Sequence, residues 1–267
     1  MLVDVHAHFH HPAGNRIDWA DRNESRLAAG EMIGVMWHVA SILGSWGRTS
    51  PTYFPSPNDV RAGNDALVEL MQLHPRRIKG YVCVNPNFTD QALAEIERCV
   101  ALGMIGIKLA ASRRADDPLL DPIGELAAHR GLPVLHHIWQ HRRHDWPGQE
   151  ASDAVELGQL AKRHPTVPFI LAHLGGGGDW LHTLRAVKMI DNIFVDLSGS
   201  GVDTGMLEGA IAAVGSSRLL WGADLTLCTG LAKLRYLETI LTGSELDAVR
   251  WENAERIFPP GVFGAAL

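Results

Sequence analysis

Short β-rich runs alternate with amphipathic helical stretches along the whole chain, and that rhythm constrains the fold more than any other feature. Eight runs read as strands: residues 2–6, 33–39, 78–84, 104–109, 133–137, 168–172, 193–197 and 218–223. Between them, residues 90–102, 121–129, 152–164 and 179–190 carry apolar positions at helical spacing, several opening on an Asp or Ser suited to an N-cap. A strand followed by a helix, eight times over, predicts an α/β chain closed into a parallel TIM (β/α)8 barrel. A doubly wound open sheet is the alternative, although no G-x-G-x-x-G follows the first strand. With 267 residues, 46% of them hydrophobic, residues 1–267 read as one barrel domain with an ample core. The stretch 244–258, stopped by Pro259-Pro260, is left over as an extra C-terminal helix that covers the barrel rim.

Charge and cysteine usage narrow the function classes. A net charge of -6 argues against general affinity for nucleic acid or an anionic membrane, so a small-molecule substrate is the expected partner, and a homodimer stays open. The chain enters its first strand without a basic, then apolar, leader, and no apolar run approaches the roughly 18 residues of a membrane span. A cytoplasmic address is the expectation. Cys83, Cys99 and Cys228 lie far apart and form no C-x-x-C, so any metal would use nitrogen and oxygen ligands.

The carboxyl ends of barrel strands, where such folds keep their chemistry, hold an unusual inventory. His6 and His8 end the first strand, Lys108 the fourth, His136-His137 the fifth, His173 follows the sixth and Asp224 the eighth. An H-x-H pair alone is weak: with 14 His in the chain one is expected roughly once by chance, and His8-Phe-His10 is a second instance. Five of eight strands ending in ligand-type or ionisable residues are harder to read as core. Strict alternation along residues 2–8 would put Leu2, Asp4, His6 and His8 on one face and Val3, Val5 and Ala7 on the other. By the same alternation only one of His136 and His137 faces the barrel interior.

Asp4-Val-His6-Ala-His8, Gly106-Ile-Lys108-Leu, Leu132-Pro-Val-Leu-His-His137, Ala172-His173-Leu-Gly-Gly176 and Trp221-Gly-Ala-Asp224, in that order, resemble the amidohydrolase superfamily. They are most similar to its amidohydrolase-related branch, which includes aminocarboxymuconate-semialdehyde decarboxylase, resorcylate decarboxylase and lactone hydrolases. The resemblance implies one divalent metal ion held by His6, His8, His137 and Asp224, with His173 beside the open coordination position. Zinc is the expected ion, and the same donors admit manganese, cobalt or iron. Some amidohydrolases carboxylate a fourth-strand lysine to bridge two metals, a device the mononuclear branch does not use, so Lys108 is expected to remain a structural or substrate-facing ammonium.

The leading expectation is therefore a metal-dependent hydrolase acting on an ester, lactone or amide, with Asp224 accepting a proton from activated water and His173 stabilising the oxyanion or relaying a proton. A metal-dependent decarboxylase is the alternative, and a barrel that binds a ligand without turnover is a third reading. Arg48, Arg113 and Arg142, with Arg114 and Arg143, are candidate clamps for a carboxylated substrate. Trp139, Trp46 and Trp146 are candidate pocket walls. Asp4, Asp196 and Ser198 are expected to orient neighbours by hydrogen bonds, and the run Gly175 to Gly178 to form a backbone turn.

Overall fold

The computed structural model describes residues 1–12, 17–44, 49–141, 144–199, 201 and 203–264. Eight parallel strands pair in sequential order: β1 (Val3–His8), β2 (Trp37–Ser41), β3 (Ile78–Val84), β4 (Gly106–Leu109), β5 (Val134–His137), β6 (Phe169–Ala172), β7 (Ile193–Asp196) and β8 (Leu219–Leu220). Contacts between the last strand and the first draw the sheet into a barrel: the Val5 amide donates to the Trp221 carbonyl (3.1 Å), the Asp224 amide donates to the His6 carbonyl (2.6 Å), and Ala7 and Asp224 form a parallel bridge. The helices α1 (Trp19–Met32), α2 (Pro57–Leu73), α3 (Thr89–Ala101), α4 (Asp121–Arg130), α5 (Ala154–Arg163), α6 (Trp180–Val187), α7 (Met206–Val214) and α8 (Leu227–Ile240) return the chain between strands and cover the barrel. Their starts are set by local chemistry. Ser56 caps α2, and Asp153 closes a reciprocal capping box with Glu156 at the head of α5, each worth about 1 kcal/mol. Among the described residues no helix is long and apolar enough to cross a membrane.

Several of the sequence expectations shift, among them the eighth strand, expected over residues 218–223 and found as Leu219–Leu220. The second strand begins at Trp37 rather than at residue 33, because Ile33 caps α1 and Gly34, at φ 87°, turns the chain before it can extend. Strict alternation also fails on β1. Its pairing with β2 runs Asp4↔His38, then Ala7↔Ala40, so β1 carries one extra residue, a β-bulge. Val3 and Val5 join the barrel-interior cluster, whereas Leu2 and Ala7 pack in the helix-facing core. Asp4 turns outward to Arg26 and His38, while His6 and His8 both turn inward. The bulge thus separates Asp4 from the two histidines.

The barrel is filled differently at its two ends. At the amino-terminal end Val3, Trp37, Ile105, Phe194 and Leu220 pack with Ala254, Ile257, Phe258 and Phe263. The last four belong to the C-terminal segment, which proves to be α9 (Gly243–Asp247), a π-helical turn (Ala248–Glu252) and α10 (Asn253–Ile257) rather than one uninterrupted helix. The Trp37 indole N–H donates to the Phe263 carbonyl at 2.8 Å, and the Phe258 ring lies 5.8 Å from Tyr81. An apolar plug of this kind closes the floor. The carboxyl-terminal end is left to the polar side chains.

Candidate metal centre

The polar side chains at the barrel mouth are delivered by six strand ends. His6 and His8 come from β1, Lys108 from β4, His137 from β5, His173 from just beyond β6, Asp196 from β7 and Asp224 from the turn after β8. The Nε2 atoms of His6 and His8 lie 3.1 Å apart. Asp224 Oδ1 is 3.3 Å from His8 Nε2 and 3.8 Å from His6 Nε2, while its Oδ2 is 3.8 Å from His173 Nε2. The ring of His137 meets that of His173 edge to face at 5.2 Å, and the rings of His6 and His173 stack at 5.0 Å. His136, on the other face of β5, turns back so that its Nδ1–H donates to the His137 carbonyl (2.9 Å).

The far sides of the His6, His8 and His173 rings are held. His6 Nδ1–H donates to Asp196 Oδ2 (2.7 Å), with Ser198 Oγ at 3.0 Å; His8 Nδ1 meets the Ser41 carbonyl (3.1 Å); His173 Nδ1 meets Ser198 Oγ (2.8 Å). With the Nδ1 atoms engaged this way, the Nε2 lone pairs face the cavity. Burial pushes His6 and His137 well below the ordinary imidazole range and His173 down to about 4, so the rings are neutral, the form that coordinates a metal. Burial alone would raise the Asp224 carboxyl, but the imidazoles of His173, His8 and His6 around it outweigh burial and hold it below the ordinary carboxylate range. Asp196 goes the other way: burial lifts it to about 7 against the Ser198 hydrogen bonds.

These donors fit a divalent ion. His6, His8 and Asp224 offer three ligand atoms within 4.8 Å of one another, and His137 Nε2 is a buried polar atom without a partner among the described residues. An orphaned buried nitrogen costs about 1–3 kcal/mol unless something binds it. A second cluster, His6, His173 and Asp196, is equally compact, but its shared space is taken by the Ser198 hydroxyl, which donates to Asp196. It is a hydrogen-bonded network rather than a vacant ligand set.

Asp224 owes its position to a polar clamp on the outer wall. Its backbone sits at φ 56°, a left-handed conformation that Asp tolerates better than most residues. Arg26 from α1 donates to the Asp224 carbonyl (2.7 Å) and to Asp4 Oδ2 (2.9 Å), and Asp4 Oδ1 accepts the Ala223 amide (2.9 Å). His38 Nδ1 completes the cluster against Asp4 Oδ2 (2.9 Å). Arg26 and His38 sit inside amphipathic or apolar stretches, and sequence pattern gave no signal for them.

Above this floor opens a cavity of about 250 Å³. Its described walls include Tyr53, Lys108, Trp139 and the backbone of Gly175 to Gly177. The Tyr53 loop is pinned where Asp59 accepts from the Thr49 and Ser50 hydroxyls and Asn85 donates to the Pro55 carbonyl (3.0 Å). The glycine run is a backbone turn. Gly177 has φ 83°, and a side chain there or at Gly176 would strike the backbone of residues 138 and 140. Lys108 is fully buried, its Nζ lies 3.1 Å from His6 Nε2, and burial lowers its ammonium to about 8.

The expected arginine clamp does not assemble from the described residues. Arg113 pairs with Asp117 at 3.4 Å and does not line the cavity, because the i, i+4 spacing lets the two meet within their own loop. Arg114 turns to Glu156. Arg48, Arg142, Arg143 and Trp46 lie outside the described residues. Trp146 is exposed and stands away from the cavity. Tyr53, which the sequence reading did not single out, and Trp139 are the large aromatic walls.

Comparison with known proteins follows the same lines. The family model for amidohydrolases matches residues 3–259. No curated protein matches the chain. Among solved structures, the 5-carboxyvanillate decarboxylase of Sphingomonas paucimobilis superposes with a TM-score of 0.71 at 18% identity, covering 96% of this chain and 98% of that one. A dihydroxybenzoic acid decarboxylase from Polaromonas, solved with manganese and 2-nitroresorcinol, gives 0.69 at 17% identity over 96% of each chain. The 4-oxalomesaconate hydratase of Rhodopseudomonas palustris gives 0.70 at 18%, covering 97% and 96%. At these identities the likeness is one of fold. With its match over nearly the full length, the chain belongs to the amidohydrolase family of metal-dependent enzymes.

Proposed function

We propose that this protein is a metal-dependent, non-oxidative decarboxylase of a small planar carboxylic acid. The observation that carries the reading is Lys108, a buried ammonium at the floor of a narrow cavity walled by Tyr53 and Trp139. A buried cation facing a cavity favours an anion there, since its desolvation is costly until paired. Aromatic walls favour a flat substrate. Two of the three structural neighbours named above are decarboxylases of carboxylated aromatic rings, and one was solved with manganese.

His6, His8, His137 and Asp224 are the residues that would hold the ion, zinc or manganese with cobalt and iron admitted by the same donors. When bound, the ion supplies a Lewis acid that draws electron density from the substrate as its carboxyl group leaves. Lys108 holds a substrate carboxylate by charge. Tyr53 and Trp139 fix the plane of the substrate and keep bulk water from the floor. The carbon–carbon bond breaks, CO2 departs and a proton takes its place on carbon. Asp224 and His173, whose Oδ2 and Nε2 face each other across 3.8 Å, are the groups in reach to carry that proton.

The family itself, and the ionised state of Asp224, favour hydrolysis as a second reading, in which Asp224 would take a proton from water attacking an ester, lactone or amide. Product analysis separates the two. Metal-reconstituted protein should release CO2 from hydroxylated benzoates while leaving lactones and esters intact. Turnover of lactones or amides with no CO2 from any carboxylated substrate would replace the decarboxylase by the hydrolase. Lys108→Met should raise KM for carboxylated substrates by about tenfold or more, the loss of one charge-assisted contact.

A further inference from the structure

Behind the loop that follows β7, one buried side chain has no part in the chemistry above. Lys233, on α8, is 1% exposed, and its Nζ donates to three consecutive carbonyls, those of Leu197 (2.7 Å), Ser198 (3.1 Å) and Gly199 (2.8 Å). An ammonium has three hydrogens, and all three are used. Three neighbouring carbonyl dipoles pointing at one spot repel one another, so the loop adopts this shape because a cation gathers it.

The gathered loop touches the metal centre at two points. Ser198 gives its only hydroxyl hydrogen to Asp196, so its oxygen accepts from His173 Nδ1–H at 2.8 Å. Gly199, at φ 85°, passes under His173 so closely that a Cβ there would lie 2.9 Å from the ring's Cγ. His173 is therefore gripped by the segment that Lys233 shapes. His6, by contrast, is held at Nδ1 mainly by Asp196 itself, at 2.7 Å.

We propose that Lys233 is a positioning residue: by drawing in the carbonyls of residues 197–199 it sets the Ser198 hydroxyl, which holds His173 as the Nδ1–H tautomer with its Nε2 lone pair turned to Asp224 and the cavity. The effect reaches His173 and spares His6. This assignment needs no metal to be read, so it can fail separately from the proposed function.

The test is the tautomeric state of both histidines in metal-free protein carrying 15N-labelled histidine, followed through long-range 1H–15N couplings and assigned by His6→Gln and His173→Gln. In the wild type both rings should be Nδ1–H. Lys233→Met should leave His6 as it is and turn His173 into a mixture of tautomers, and Ser198→Ala should do the same with Lys233 intact. The double variant should show no more of the second tautomer than Ser198→Ala alone. Zn2+ affinity supplies a control: His173 is not among the residues that would hold the ion and His6 is spared, so each variant should bind Zn2+ about as tightly as the wild type. A pure packing role for Lys233 would instead leave the His173 tautomer unchanged. If Lys233→Met does not fold, Lys233→Gln, which keeps an N–H donor, carries the same measurements. A His173 ring that stays Nδ1–H in Ser198→Ala overturns the proposal whatever the lysine variants do. A wild type in which both rings are Nδ1–H but which binds no Zn2+ would sink the metal-centre reading and leave this one standing.

Discussion

The two ends of this barrel are built from the same strands and obey opposite rules. At the amino-terminal end the interior is Val3, Trp37, Ile105, Phe194 and Leu220 capped by Phe258 and Phe263, and stability comes from apolar area removed from water. At the carboxyl-terminal end, six or fewer residues further along each strand, the interior is His6, His8, Lys108 and Asp196, buried, with His137 and Asp224 half-buried, at a cost that hydrogen bonds only partly offset. The plug obeys the local rules of a core and the mouth departs from them, the pattern expected of a functional site. The bulge on β1 marks the boundary: before it Val3 and Val5 point into the plug, after it His6 and His8 point into the site.

The sharpest way to break this division is His8→Ala. If the mouth serves function alone, the variant should lose the bound ion, about one equivalent per chain, and with it activity by about 1000-fold or more, yet keep the circular dichroism of a folded barrel. An unfolded variant would mean that the ion, and hence the mouth, also holds the fold together. The mirror experiment is Phe258→Ala. Removing a ring that is 3% exposed against Tyr81 and Phe263 should cost about 3–5 kcal/mol in urea unfolding, while the folded fraction retains its metal stoichiometry. Loss of metal in the folded fraction would show that plug and mouth are one cooperative unit.

How far the two ends could be read from sequence differs in the same way. The strands and the helices over them followed from periodicity, because a strand that fills a barrel and a helix that covers it repeat their apolar positions, whereas the plug did not: the stretch 244–258 read as one helix over the rim, and Phe263 lies beyond it. The mouth was legible only where strand ends carry imidazole or carboxylate, as at His6, His8, His137, His173 and Asp224. The bulge was not, since an extra residue in a strand leaves no mark on composition and shifts the face of every later side chain. Tyr53 stands in a loop without period. Arg26 and Lys233 read as ordinary charges on amphipathic helices, although both are buried with their charges on backbone carbonyls. Arg113 pairs with Asp117, four residues on in the same loop, rather than lining the cavity.

A smaller effect probes whether the helical coat is independent of both ends. Asp153→Ala removes the capping box of α5 and should lower stability by about 1 kcal/mol, with the midpoint of urea unfolding shifted and its slope unchanged. Metal binding should not respond, because Asp153 bonds to the first turn of α5 and pairs with His182, and touches none of the residues that would hold the ion.

The smallest expected effect concerns a carboxylate that belongs to neither end. Glu95 on α3 accepts from Arg98 (2.7 and 2.8 Å) and from Asn64 (3.0 Å), whose amide also donates to the Cys83 carbonyl on β3 (3.1 Å). Burial alone would raise this carboxyl, but the hydrogen bonds from Arg98, Asn64 and Cys99 outweigh it and hold it below the ordinary 4.5. A carboxyl depressed on folding contributes its stability above the unfolded value and loses it as the pH falls through the depressed one. Stability of the wild type should therefore decline below about pH 4.5 by an increment on the order of 1 kcal/mol that Glu95→Gln lacks, since the amide is neutral throughout. Urea titrations of both proteins between pH 3 and 7 measure the difference. If the two acid limbs coincide, Glu95 braces α3 against β3 without help from its charge, and the polar cost of this barrel is confined to its mouth.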